Sequence, residues 1–140
     1  MILLDTNIIS EAMKPSGDHK VVDWINQQAP ESLFICAPVL AELRYGFEQM
    51  PQGRRKSTFE RACHLIETTQ FLDRILPFDL PAAHLCANAR ARRAALGRPI
   101  HQIDAMIASI AMARSFVLAT RNVCDFTGLG LELVNPFELA

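Results

Sequence analysis

Met1-Ile2-Leu3-Leu4-Asp5-Thr6-Asn7-Ile8-Ile9-Ser10 is the stretch on which the fold turns. Its apolar run Ile2-Leu3-Leu4 does not alternate with polar residues. Such a run marks a central parallel strand buried on both faces. Thr6 and Asn7 carry side-chain oxygens suited to capping a helix that begins near Ile8, with Glu11 in its first turn. A buried strand running straight into a helix is the opening of an α/β unit.

Working outward, the same alternation continues. Lys14-Pro15-Ser16-Gly17-Asp18 is a turn. Val21, Val22, Trp24 and Ile25 give a short amphipathic helix to about Ala29. Leu33-Phe34-Ile35-Cys36 is a second strand, and Pro38 suits the first position of the helix that follows. That helix carries Leu40, Leu43, Phe47 and Met50, and Pro51-Gln52-Gly53 ends it. Residues 54–72 form another helix, and Ile75-Leu76-Pro77-Phe78 an edge strand, because proline cannot donate to a ladder. Residues 81–96 form a helix closed by Gly97. Residues 100–116 form the most apolar helix, Val117-Leu118-Ala119 a strand, and Leu131-Glu132-Leu133-Val134 the last one. The whole reads as one domain over residues 1–140: α/β, with a mainly parallel central sheet flanked by helices on both faces. In such sheets ligands bind beyond the carboxyl ends of the strands, where Asp5 and residues 120–125 fall.

Composition narrows the function. The chain has 140 residues, 50% of them hydrophobic, enough for a sizeable core and too apolar for a disordered segment. A net charge of −1 offers no global positive field, so nucleic-acid binding has to rest on local patches or a metal. Apolar runs stop well short of a membrane span, and the early Asp5 without a basic lead-in argues against a signal peptide. Cys36, Cys63, Cys86 and Cys124 form no C-x-x-C pair and fit a reduced cytoplasm.

Four acids carry the chemistry: Asp5 closing the first strand, Glu42 in the helix after the second, Asp104 opening the most apolar helix, and Asp125 after the fourth strand. Each alone has an ordinary structural use, as a cap, a solvated face, a dipole partner or a turn residue. Together, carboxylates beside buried runs need compensation, and one bound cation would supply it. Oxygen-only ligands suit Mg²⁺ or Mn²⁺. Such an ion activates water and neutralises phosphate oxygens, which is the chemistry of phosphodiester hydrolysis. Asp5, Glu42 and Asp104 are the expected ligands, direct or through water, with Asn122 and Asp125 completing the site. Thr120 is the expected hydroxyl contact to substrate, and Arg121 the expected phosphate contact.

Other chemistries lack their residues. His19, His64, His84 and His101 show no zinc spacing. There is no nucleophile-elbow or phosphate-loop motif. Arg54-Arg55-Lys56 and the group Arg90, Arg92, Arg93, Arg98 read as solvated helix faces that also offer a footing for an RNA backbone or an acidic partner.

The four acidic segments resemble, in order, those of the PIN-domain family. Ile2 to Ser10 is similar to its first block, Val39 to Gly46 to its second, Ile103 to Ala108 to its third, and Ala119 to Phe126 to its fourth. Within the family the chain looks most like the VapC-type toxins, including the FitB-like branch. The resemblance implies a metal-dependent endoribonuclease that is the toxin of a type II toxin–antitoxin pair. It implies a small cognate antitoxin, self-pairing into a homodimer, and a higher assembly with antitoxin on operator DNA. Asp5, Glu42 and Asp104 match the family's core metal-site acids. In the fourth block Asn122 stands where many relatives carry Asp, which leaves Asn122 and Asp125 as alternatives for the fourth position.

Two other readings stay open at this point. One is a Mg²⁺-dependent phosphatase or phosphoacceptor domain. Against it, Asp5-Thr6-Asn7 lacks a second aspartate and no lysine follows Val117-Leu118-Ala119. The other is a catalytically weak binding module acting in an antitoxin complex on operator DNA. Leu40, Leu43, Tyr45, Phe47, Met50 and Phe59 exceed the needs of one core face, so some are expected to line a groove for a partner's amphipathic segment. A basic side chain of that partner would block the anionic pocket.

Overall fold

The computed structural model describes residues 1–139. Five strands form one parallel sheet: β1 (Ile2–Leu4), β2 (Leu33–Cys36), β3 (Ile75–Leu76), β4 (Val117–Ala119) and β5 (Leu133–Val134), in the order β3-β2-β1-β4-β5. Ile2 pairs with both Leu33 and Val117, which places β1 at the centre. Successive strand residues face opposite sides of a sheet. Leu3 and Leu4, Ile35 and Cys36, and Leu118 and Ala119 are all buried, so both faces are covered. The proline-bounded strand β3 is indeed an edge.

Six helices provide the cover: α1 (Thr6–Met13), α2 (His19–Asn26), α3 (Ala37–Gln49), α4 (Arg54–Leu65), α5 (Leu80–Ala95) and α6 (Gln102–Arg114). α6 is the innermost, with Ala105, Ile107, Ala108, Ser109, Ile110 and Ala111 buried. Its small alanines let α5 lie close alongside. No helix among the described residues is long and apolar enough to cross a membrane.

Several local details differ from the sequence expectation. α1 begins at Thr6 because Asp5 itself is the cap, accepting the Thr6 N–H at 2.7 Å. Thr6 and Asn7 are thereby released for other contacts. Glu11 lies in the last turn of α1, not its first, where it binds Lys14 Nζ at 2.8 Å and the Asp18 N–H at 2.9 Å. Pro38 is the second helical residue, and α2 stops at Asn26. The helix expected to run to residue 72 leaves α geometry after Leu65 and closes as a π turn over Ile66–Gln70.

The sheet reverses its winding between β1 and β4. From β1 the chain moves outward through β2 to β3, then returns to the other side of β1 for β4 and β5. A doubly wound sheet opens a crevice at such a reversal, beyond the carboxyl ends of the two strands.

Candidate active site

Asp5 and Thr120 are the first residues past β1 and β4. The ladder runs on by one bond, the Asp5 N–H donating to the Ala119 carbonyl at 2.9 Å. This lays the Asp5 carboxylate against the Thr120 hydroxyl, which donates to Oδ2 at 2.7 Å. The same hydroxyl oxygen accepts the Asn122 N–H at 3.1 Å. Asn7 ties the two loops a second time. Its Nδ2 donates to Asp5 Oδ2 at 3.2 Å, and its Oδ1 accepts the Arg121 N–H at 3.1 Å.

Glu42 arrives from α3 and Asp104 from the first turn of α6. The Thr6 hydroxyl donates to Glu42 Oε1 at 2.5 Å. A first-turn carboxylate is favoured by the helix dipole. Even so, partial burial pushes the Asp104 carboxyl up to about 6, with the charges of Asp5, Glu42 and Asp125 adding to the rise and His101 opposing it. Asp5 is also raised, chiefly by burial; the Thr120 and Thr6 hydrogen bonds oppose the rise and Glu42 adds to it. Cys36, at the start of α3, is a neutral thiol, pushed up to about 12 by burial.

Asp5, Glu42, Asp104, Arg121, Asn122 and Phe137 line one cavity of about 380 Å³. Thr120 does not reach it. That residue is fully buried and its hydroxyl is committed to Asp5 and Asn122, so it orients the site from behind and is not the substrate contact expected from sequence. Asp125 is exposed at the rim, on the turn Val123–Phe126, and acts on Asp104 through its charge. Phe126 anchors that turn in the core.

Arg93 corrects the surface reading of the α5 arginines. It is 4% exposed, and its Nη1 donates to the Cys124 carbonyl at 3.3 Å, the Thr127 carbonyl at 2.9 Å and the Thr127 hydroxyl at 3.2 Å. It clamps the turn that carries Asn122 and Asp125. The Arg-rich run of α5 holds no sign of this, because burial is decided by which helix face meets the turn. Phe137 likewise stands outside the four acidic segments and was not legible as a site residue.

The donor set fits a hard cation. Among the described residues the ion pairs within 4.0 Å are Lys14–Glu11, Arg44–Glu67 and Arg114–Asp79. None of them neutralises Asp5, Glu42, Asp104 or Asp125. Their mutual repulsion is what one divalent ion would relieve. Among the described residues the acids do not close into a three-ligand cluster. That openness leaves room for a hard divalent cation that keeps several of its waters.

A larger groove lies elsewhere and is apolar. It measures about 600 Å³ between α1, α2 and α4, with Ile9, Met13, Ile25, Leu65 and Phe71 in its walls. None of the six apolar residues expected to form a groove lines it. Leu43 and Phe47 are buried in the core, and Tyr45 is exposed outside it.

The chain matches the PIN domain over residues 2–123 and belongs to that family. It is 39% identical over its full length, and over the full length of the relative, to VapC ribonuclease Y4jK of Sinorhizobium fredii. It is 34% identical to Toxin FitB of Neisseria gonorrhoeae, across 99% of both chains. Its fold superposes on a solved structure of FitAB bound to the IR36 DNA fragment with a TM-score of 0.92, at 34% identity, covering 100% of this chain and 98% of that one.

Proposed function

We propose that this single-domain chain is the toxin of a type II toxin–antitoxin pair and an endoribonuclease dependent on Mg²⁺ or Mn²⁺. One observation carries the reading. Three carboxylates without an ion-pair partner within 4.0 Å among the described residues, Asp5, Glu42 and Asp104, line one cavity at the reversal point of the sheet, beside Arg121 and Asn122 and within reach of the Asp125 charge. Full-length similarity to a VapC ribonuclease and to Toxin FitB supports it.

The chain's own groups divide the work. Asp5, Glu42 and Asp104 would hold the ion, with Asn122 offering its amide oxygen and Asp125 adding negative charge at the rim. The ion would supply an activated water and neutralise the phosphate oxygens. Asp5 is held by three donors, so it presents a fixed oxygen. Thr120 and Asn7 keep the loops after β1 and β4 in register, which preserves the alignment that makes a bound reactant reactive. Asp104, whose carboxyl is pushed up to about 6 by burial and by Asp5, Glu42 and Asp125, is the acid that a bound cation would relieve most. Arg121 is the group that meets the substrate's phosphate or base.

A small antitoxin is the expected partner, self-pairing the expected assembly of the toxin, and operator DNA the site of the joint complex, as the DNA-bound FitAB structure suggests. Four unpaired cysteines fit the reducing cytoplasm. An anionic pocket also invites inhibition by a basic side chain of the partner.

The test is cleavage of unpaired RNA by the purified chain with Mn²⁺, with EDTA, and as Asp5→Asn. Ion-dependent cutting that falls more than about 100-fold in the variant is expected, because even residues that only orient a metal's ligands are worth 10–100-fold. A folded Asp5→Asn protein that cuts as fast as its parent would refute the assignment. A chain that cuts no RNA yet joins a DNA-bound antitoxin complex would identify a binding module.

A further inference from the structure

An aromatic residue stands at the mouth of the carboxylate cavity. Phe137 is the one aromatic among its lining residues and lies beyond the matched segment 2–123. The Arg121 guanidinium is 4.8 Å from the centre of the Phe137 ring. The pair is tied down by backbone. The Arg121 N–H donates to Asn7 Oδ1 at 3.1 Å, Asn135 Nδ2 donates to the Arg121 carbonyl at 3.3 Å, and the Phe137 N–H donates to Asn135 Oδ1 at 3.1 Å. Arg121 is exposed, and among the described residues it forms no ion pair within 4.0 Å, although its charge reaches Glu11.

A guanidinium used only for phosphate contact needs its N–H edge and no backing ring. A guanidinium over a ring is backed by it on one side, and Arg121 is otherwise exposed. Unpaired bases in RNA complexes stack on aromatic rings and on arginine planes, whereas bases within a duplex are already stacked on one another. The cation also gains from the ring beneath it.

We propose that Arg121 on Phe137 forms a stacking platform for one unpaired nucleobase beside the phosphate addressed by the carboxylates. The proposal rests on the ribonuclease reading and extends it: the platform selects unpaired over paired RNA and tolerates any base, because every base has a π face.

The experiment uses the whole chain with short single-stranded oligoribonucleotides in which each nucleotide around the cut is replaced in turn by an abasic one. Binding is measured by fluorescence anisotropy in Ca²⁺, and cleavage in Mn²⁺. In the parent, one abasic position should weaken binding by roughly fivefold to 150-fold, the range of one base–aromatic stack. Arg121→Lys keeps the charge and loses the plane; Phe137→Leu keeps apolar volume and loses the ring. Both should weaken binding of the intact oligonucleotide with a melting temperature close to the parent's, and should be indifferent to the abasic change. Phe137→Trp should restore both affinity and base dependence.

Equal weakening of intact and abasic RNA by the two variants would overturn the platform, as would unchanged RNA binding. RNA binding that is unaffected while inhibition by a protein partner weakens would assign the pair to that partner instead. Binding that depends on a base at one position, by a chain that never cuts, would uphold the platform and sink the ribonuclease reading.

Discussion

Replacing Asp104 by Asn should stabilise the metal-free protein while abolishing cleavage. Asp104 is partly buried and faces the charges of Asp5, Glu42 and Asp125 without an ion-pair partner within 4.0 Å among the described residues. Its carboxyl is lifted from 3.8 to about 6. A proton is therefore bound more tightly in the folded chain than in the unfolded one. The sign of the linkage follows: stability is greatest below about pH 4, falls as pH rises through about 6, and carries the full penalty above that. The rise corresponds to about 3 kcal/mol at about 1.4 kcal/mol per pH unit. Residual solvent screening cuts this to roughly 1–2 kcal/mol. For a chain of this size, about 3 °C per kcal/mol gives a gain of roughly 3–6 °C in Tm at about pH 8. Near pH 5 the carboxyl is mostly protonated in the fold, and the gain should be about half as large. Melting curves in EDTA at the two pH values, then with Mn²⁺, provide the assay. Mn²⁺ should raise the parent's Tm and reverse the ranking, since binding to the native state adds stability. An Asn variant no more stable than the parent in EDTA at pH 8, or a gain independent of pH, would refute the idea that burial and the neighbouring acids hold Asp104 charged at a cost.

Further outcomes are expected. Thr120→Val should cost about 1–3 kcal/mol in denaturant unfolding by removing one of the two donors to Asp5 Oδ2 and leaving the Asn122 N–H without its acceptor, and Thr120→Ser should recover most of it. Arg93→Met should destabilise by about 1–3 kcal/mol through the Thr127 carbonyl left without its donor, and should lower Mn²⁺ affinity, read by calorimetry, because the turn bearing Asn122 loosens. Gly17→Ala should destabilise by about 1–3 kcal/mol, since a Cβ there would meet the Glu11 carbonyl oxygen at 2.2 Å; unchanged unfolding would show that the turn yields freely.

The central strands and three of the acids were legible because their signals are local. A short unbroken apolar run fits a doubly covered strand, and Asp5 follows one directly. The capping of α1 was misassigned for the same reason: Thr6 and Asn7 are good caps in isolation, yet Asp5 takes the cap and their side chains go to Glu42, Asp5 and Arg121. Arg93 and Phe137 were invisible because their roles depend on partners about 30 and 16 positions away in the chain. Of the six residues from which a partner groove was expected, Leu43 and Phe47 are claimed by the core and none lines the apolar groove between α1, α2 and α4. How many layers cover a helix is a tertiary fact that no periodicity encodes. Thr120 shows the converse error, a hydroxyl near the chemistry whose valences are already spent on holding Asp5 and Asn122.

The reversal of the sheet between β1 and β4 also sets a timetable. Asp5 and its hydroxyl partner Thr120 are 115 residues apart. Closing a loop of that length costs about 4 kcal/mol in chain entropy beyond a constant term, and nothing recovers it until β4 docks against β1. Chains fold as they leave the ribosome, N-terminal parts first. A growing polypeptide that has already emitted Asp5, Glu42 and Asp104 still lacks the strand that aligns them. The proposed nuclease therefore has no aligned site until β4 has been made. A truncated product that stops before Ala119 lacks the carbonyl and hydroxyl that hold Asp5 and is expected not to cut RNA.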